Sequence, residues 1–315
     1  MIQHNRVEPS GRYHAPERIA GITHVVLNRD ARALPQIREY YPNARYYLWV
    51  HDQLSPDTKR GRRLAGMAAV LSEMAVTIVC VSDWQRHGVE ATLRHMGIAD
   101  KVATRTIYNP VDDALMPDAS PVDYNKLVFF SAKNRGLMFA LDAFRVMRRE
   151  LPDLRLVIGN PGYKLGKASV LEGVTDLGPQ PQSQIHTEVR TALCTFFPNF
   201  ILPETFGLVF AESMALGTPV LTHDCGAATE VIGDDEQILP VTSGQRAYER
   251  VMRKIPLRFR SEPAKVAARF GLFDIYIERI RSWRSGARPQ CGPNPRFCLT
   301  RVADKWRELL SSGES

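Results

Sequence analysis

The feature that most constrains this chain is an alternation. Short runs rich in β-branched and aromatic residues are separated, almost from end to end, by helix-length amphipathic segments. Parallel strands covered by helices on both faces leave that pattern, so the chain is expected to form a doubly wound α/β fold. Strand candidates in the first third are THVVLN (23–28), RYYLWV (45–50) and VTIVCVS (76–82), with helices around 30–40, 60–74 and 84–96. A Pro- and Asp-rich stretch without period, 109–125, reads as a linker. The pattern restarts with KLVFFS (126–131), then a helix in which Leu137, Leu141, Phe144 and Met147 keep helical spacing. LRLVIG (154–159), CTFF (194–197) and PVLT (219–222) complete a second sheet. Helices follow near 244–254 and 262–284, then a loop rich in Pro, Gly and Cys, then a last helix. Leu299, Val302, Trp306 and Leu309 or Leu310 form one stripe there, which needs a surface to pack on.

The 315 residues, 44% hydrophobic and 24% charged, suffice for about two globular domains. No apolar run approaches the roughly 18–20 residues that span a bilayer, and the opening MIQHNRVEPSGRYH lacks a signal-peptide pattern. A cytoplasmic location is therefore expected. Five scattered cysteines, Cys80, Cys194, Cys225, Cys291 and Cys298, suit reduced thiols better than disulfides or a zinc site. The net charge of +7 implies an acidic partner: nucleic acid, an anionic membrane face or a phosphorylated small molecule. The basic residues are dispersed, with no aromatic-basic platform or recognition helix, which argues against nucleic acid. The densest basic run, KRGRR (59–63), opens an apolar helix; it fits a solvated helix start, a membrane-surface contact or an acceptor-phosphate contact.

ETFGLVFAESMALGTPV (204–220) reads as a turn, a helix apolar on nearly every face and a buried strand, yet it holds Glu204 and Glu212. Leu208, Glu212 and Leu216 fall on one stripe. A carboxylate there requires hydrogen-bond donors, which backbone amides, an arginine or a ligand's vicinal hydroxyls would supply equally well. Glu204 precedes the helix start, where it either caps the helix or sits beside an anion held by the amides of Gly207 and Leu208. SAKNRG (131–136) puts Lys133 and Arg135 in a second strand-to-helix turn, suited to a diphosphate. Both turns point to one phosphate-bearing ligand.

These residues resemble the retaining glycosyltransferases of family 4, whose architecture of two Rossmann-like domains facing across a cleft is called GT-B. ETFGLVFAESMALGTPVL followed by CGAATEVI carries the resemblance, and VHD (50–52), VCVSDW (79–84), IYNPVD (107–112) and FFSAKNRGLMFALDAF (129–144) extend it over roughly residues 45–255. It implies that Glu204 holds hydroxyls of a donor sugar and that Glu212 holds the ribose of a nucleotide. The amides of Gly207 and Leu208, with Lys133 and Arg135, would then meet the diphosphate, Thr205 and Phe206 would also bind the donor, and Lys133 would join Glu204 and His51 as catalytic. It also makes His51, after a strand, the histidine that faces the transferred sugar.

The implied reaction is retaining transfer from a nucleotide diphosphate sugar to an acceptor hydroxyl on a glycan, a lipid-linked carrier or a small molecule. No cofactor or metal is expected, and no Asp-x-Asp occurs. Alternatives are a non-catalytic sugar-nucleotide or glycan-binding protein and a GT-B sugar-nucleotide epimerase. A peripheral contact with an anionic inner membrane face is a further expectation. Lys133 and Arg135 lie closer together than the family's usual pair of cations, and VHD is reached by residue 52, so the acceptor-side domain is expected to be shortened. The implied division is an N-terminal domain over 1–112, a linker over 113–125, a donor domain over 126–285, and a loop and terminal helix over 286–315 returning to the N-terminal domain. GNPGY (159–163) and LGPQPQ (177–182) are the candidate loops for the base.

Overall fold

Alternating side chains of one strand, Arg45–Val50, organise the first sheet. Tyr46, Leu48 and Val50 belong to a core with Leu27, Leu34, Ile37, Leu71, Ile78 and Val89, while Tyr47 faces a second cluster with Val79, Ile107 and Val302. A strand buried on both faces is what a doubly wound sheet requires. The computed structural model describes residues 20–132, 134–159 and 171–312, with nothing described for the side chain of Leu257. It divides into two compact units, one running to Asn109 and taking in the chain again from Arg301, the other Pro110–Thr300.

The first unit contains β1 (His24–Asn28), α1 (Leu34–Tyr40), β2 (Arg45–Val50), α2 (Lys59–Ala65), α3 (Ala68–Glu73), β3 (Thr77–Cys80), α4 (Asp83–His95) and β4 (Thr104–Thr106). The strands are parallel in the order β1-β2-β3-β4. The expected single helix over 60–74 is two, because the chain leaves helical geometry around Gly66 and Met67. β4 is short and polar, which hides it from a search for apolar runs.

The second unit holds β5 (Asp123–Phe130), α5 (Leu137–Glu150), β6 (Arg155–Gly159), β7 (Val174–Asp176), α6 (Gln182–Arg190), β8 (Ala192–Phe197), α7 (Leu208–Ala215), β9 (Val220–His223), α8 (Ala228–Ile232), β10 (Ile238–Leu239), α9 (Ser243–Met252), α10 (Ser261–Arg269) and α11 (Asp274–Ser282). Its strands are all parallel, in the order β10-β9-β8-β5-β6-β7. Chain order runs outward from β5 on one side and outward from β8 on the other. The loops leaving these two neighbouring strands therefore diverge, and that is where an open α/β sheet makes its ligand crevice. The two parallel-sheet units are Rossmann-like. The expected helix over 262–284 is broken between α10 and α11 by Gly271, whose φ of 69° is left-handed.

The last helix, α12 (Leu299–Ser311), begins in the second unit and continues in the first. Val302, Trp306, Leu309 and Leu310 join the cluster of Tyr47, Val79 and Ile107, and the Trp306 ring meets Trp49 edge-on at 5.3 Å. Leu299 departs from the expected stripe: it is 51% exposed, at a helix start where Asp113 accepts from the amides of Leu299 and Thr300. No described helix is long and apolar enough to cross a membrane.

A buried ion network ties α5 to the helices that follow the second sheet. Arg260, fully buried, donates through Nε to Asp142 Oδ2 at 2.7 Å and through Nη1 to the Met252 carbonyl at 2.6 Å. Tyr248 also donates to Asp142, and Arg145 lies 3.3 Å from its other oxygen. Removing one member strands a desolvated charge, whereas removing both does not. Arg260→Ala should destabilise the second unit by about 3–5 kcal/mol, and Asp142→Leu/Arg260→Met by much less, as read from denaturant unfolding.

Candidate functional site

The loop after β5 enters α5 through Gly136 (φ 90°), and the loop after β8 enters α7 through Gly207 (φ 89°). Both glycines occupy the left-handed region that other residues reach only at a cost. Neither helix has a side-chain cap or an acidic residue in its first turn. Phe210 N–H already donates to Gly207 O, leaving the earlier amides of α7 without an intrahelical acceptor. Two helix N-termini, each partly positive, thus open beside the crevice between β5 and β8.

Glu204 is set at this crevice by its backbone. It forms a parallel bridge with Gly226, and Ala227 N–H donates to its carbonyl at 2.8 Å. A Cβ on Gly226, where φ is 78°, would lie 2.2 Å from the Glu204 carbonyl oxygen, so only glycine permits the approach. The Glu204 side chain is 15% exposed and lies 3.3 Å from Arg135 Nη1. Burial pushes its carboxyl above the usual range, against the opposing pull of Arg135. The same guanidinium nitrogen donates to the carbonyls of Pro203 at 3.2 Å and Leu202 at 3.4 Å. Arg135 therefore joins the two loops, a pairing that spacing alone does not show.

Glu212 lies on a different surface from the one expected. Leu208, one turn before it, is 42% exposed, and only Leu216, one turn after it, is buried. The stripe thus runs from the open helix start into the core, with Glu212 half-buried between them. Gln182, at the start of α6, donates to Glu212 Oε1 at 3.2 Å. Burial raises this carboxyl and no cation offsets it. Gln182 had no signal of its own in the sequence beyond its place in LGPQPQ. Thr205 is half-buried, and Phe206 is buried edge-on against Phe297 at 5.0 Å, so a ligand would meet Phe206 through its backbone. Lys133, and 160–163 of GNPGY, lie outside the described residues.

His51 belongs to the first unit, directly after β2 and against the Trp49 ring at 4.5 Å between centroids. Burial, helped by the positive charge of Arg29, lowers its pKa to about 4. At neutral pH it is an uncharged imidazole that can donate and accept, without competing for an anion.

Residues 119–256 match the family described as Glycosyl transferases group 1. The chain is similar to a D-inositol 3-phosphate glycosyltransferase of Streptomyces avermitilis, 32% identical over 148 residues, covering 42% of this chain and 30% of the relative. A phosphatidyl-myo-inositol mannosyltransferase of Propionibacterium freudenreichii is 29% identical over 160 residues, covering 49% of this chain and 36% of the relative. The chain thus spans about a third of the length of these curated relatives. In fold it is similar to Anabaena Alr3699/HepE, solved in complex with UDP and glucose, with a TM-score of 0.59 and 18% identity over 91% of this chain and 78% of that one.

Two outcomes test this geometry. Gly226→Ala should destabilise the second unit by about 2 kcal/mol or more, through left-handed strain and the collision with Glu204, read from thermal unfolding. The His51 ring, followed by NMR, should titrate with a midpoint near 4 and stay neutral through the range where an ordinary histidine gains its proton.

Proposed function

Because residues 119–256 match the family described as Glycosyl transferases group 1, we propose that this protein transfers a sugar, with retention, from a nucleotide diphosphate sugar to an acceptor hydroxyl on a glycan, a lipid-linked carrier or a small molecule. The observation that carries the reading is the pairing of Arg135 with Glu204 at the crevice between two uncapped helix N-termini. One position there offers cationic and amide donors to a diphosphate, and a carboxylate to the sugar next to it. UDP and glucose bound by the Anabaena neighbour agree with a donor of this class.

Glu204 is assigned to the hydroxyls of the donor sugar, and Glu212 to the ribose hydroxyls. Both carboxylates are raised by burial, so a vicinal diol that donates to them relieves a desolvation cost present without the ligand. The backbone of Thr205, Phe206, Gly207 and Leu208, with Arg135 and Lys133, is assigned to the diphosphate. A phosphate beside Arg135 draws that guanidinium from Glu204 and frees a carboxylate oxygen for the sugar. Neutral His51 is assigned to a hydroxyl of the transferred sugar.

As the anomeric carbon–oxygen bond breaks, its electron pair moves onto the diphosphate, where Arg135, Lys133 and the helix amides stabilise the growing charge. The acceptor hydroxyl attacks the same face and gives its proton to the departing phosphate oxygen. No divalent cation is required, and a peripheral contact with an anionic membrane is compatible with the charge.

Glu204→Ala should lower turnover by about a hundredfold or more, and Glu212→Gln should weaken donor affinity by about tenfold. The second variant should also melt higher at pH 7. A raised carboxyl contributes stability that is present below its unfolded pKa and lost as pH rises through the folded one, and an amide does not suffer that loss. Sugar transfer in excess chelator should continue. Wild-type rates in Glu204→Ala would refute its assignment, and saturable donor binding without transfer or hydrolysis would identify a binding protein.

A further inference from the structure

A second cluster of charge lies in the first unit, beside His51. Directly after β1 the chain turns through Arg29, whose φ of 70° is rare for a residue with a side chain. Its N–H donates to the Trp49 carbonyl at 2.8 Å, holding the turn against the end of β2. The Arg29 guanidinium lies 3.2 Å from Asp52 Oδ2, and Arg60 of α2 reaches the same oxygen. Asp52 follows His51 in sequence, so this shared carboxylate stands at the edge of the sheet from which His51 emerges.

α2 is tightly placed. Thr58 caps it by accepting from Gly61 N–H at 3.0 Å, and a Cβ on Gly61 would lie 1.9 Å from the Ser55 carbonyl. The run KRGRR is thereby divided between tasks: Arg62 donates to the Asp57 carbonyl, while Arg60 and Arg63 lie toward the loop after β1. Asp30, the other carboxylate of that loop, is already held through both oxygens by Arg32. Arg29 and Arg60 thus share one carboxylate, Asp52, while Arg60 and Arg63 feel the charge of Asp30, which Arg32 already holds. Burial and the charges of Arg29 and Arg63 lower the Arg60 guanidinium's affinity for its own proton. The side chains of Arg29 and Arg60 are each 52% exposed, so an incoming anion can reach them.

We propose that Arg29, Arg60 and Arg63 form a binding site for a phosphate group, and that this phosphate belongs to the sugar acceptor. Guanidinium forks match phosphate oxygens bidentately, and a phosphate offsets the mutual repulsion that Asp52 only partly relieves. The strained Arg29 turn and the locked α2 bring the cations together before the anion arrives. The phosphate comes either from a small phosphorylated acceptor or from a lipid headgroup. That it belongs to an acceptor rests on the transferase reading; the anion site itself does not.

The test uses the full chain, with inorganic phosphate in calorimetry and, separately, phosphatidylglycerol vesicles in co-sedimentation, phosphatidylcholine vesicles being the blank. Wild-type protein should bind at least one probe, and Arg60→Gln and Arg63→Gln should each weaken that binding by about tenfold. Arg94→Gln, an equal loss of charge at the exposed end of α4, should leave it unchanged. Binding of inorganic phosphate identifies a small phosphorylated acceptor, and binding of vesicles alone identifies a lipid headgroup. No binding of either probe, or an equal loss in Arg94→Gln, overturns the site. UDP binding measured alongside separates the two readings: its absence in the wild type counts against the transferase assignment and leaves the phosphate site standing.

Discussion

The candidate site in the second unit depends on one backbone contact, the approach of Gly226 to Glu204. Their bridge and the bond from Ala227 N–H to the Glu204 carbonyl fasten the loop after β8 to the turn after β9. Any side chain at 226 would occupy the space of the Glu204 carbonyl. With this contact made, Glu204 has a fixed origin, Arg135 has a carboxylate and two carbonyls to hold, and Gly207 can begin α7 where the crevice opens. The strand order sets where that crevice is, and the glycine sets how closely the loop after β8 meets the turn after β9.

The electrostatics of the two units are complementary in kind. In the second, carboxylates stand in partly buried positions where their ionised forms are disfavoured, next to helix starts that carry no acidic residue of their own. Such a site is short of hydrogen-bond donors to its acids and of anions at its amides, and the proposed donor would supply both. In the first unit the imbalance is reversed: guanidinium groups exceed the carboxylates available to them. Both arrangements sacrifice some folded-state stability at positions suited to ligands, while the buried Arg260–Asp142 network keeps its charges compensated within the protein.

Much of the candidate site is legible in the sequence. Glu204, Glu212, Gly207 and Arg135 follow from an apolar helix with two acids and from a basic strand-to-helix turn. The role of Gln182 was not legible, because it depends on α6 lying beside α7 across thirty residues of chain. The exposure of Leu208 was not legible either. Periodicity assigns a residue to a helix face, but whether that face is covered depends on where the neighbouring loops run, and here the start of α7 lies at the open C-terminal ends of the central strands, where Leu208 is exposed. KRGRR read as a single basic run; folding separates Arg62 from Arg60 and Arg63, since helical rotation sends them to different neighbours.

By itself the sequence determined the α/β class, the restart of the pattern after residue 125, the strands with strong apolar runs and the glycine positions that turn the chain. Those are local properties, written in side-chain period and backbone freedom. The tertiary structure alone decided the order β10-β9-β8-β5-β6-β7, the meeting of Arg135 with Glu204, the packing of α12 against Tyr47 and Trp49, and the gathering of Arg29 and Arg60 about Asp52 with Arg63 near Asp30. Each joins residues far apart in the chain, and such contacts form only where burying a sheet within its own unit brings distant loops together.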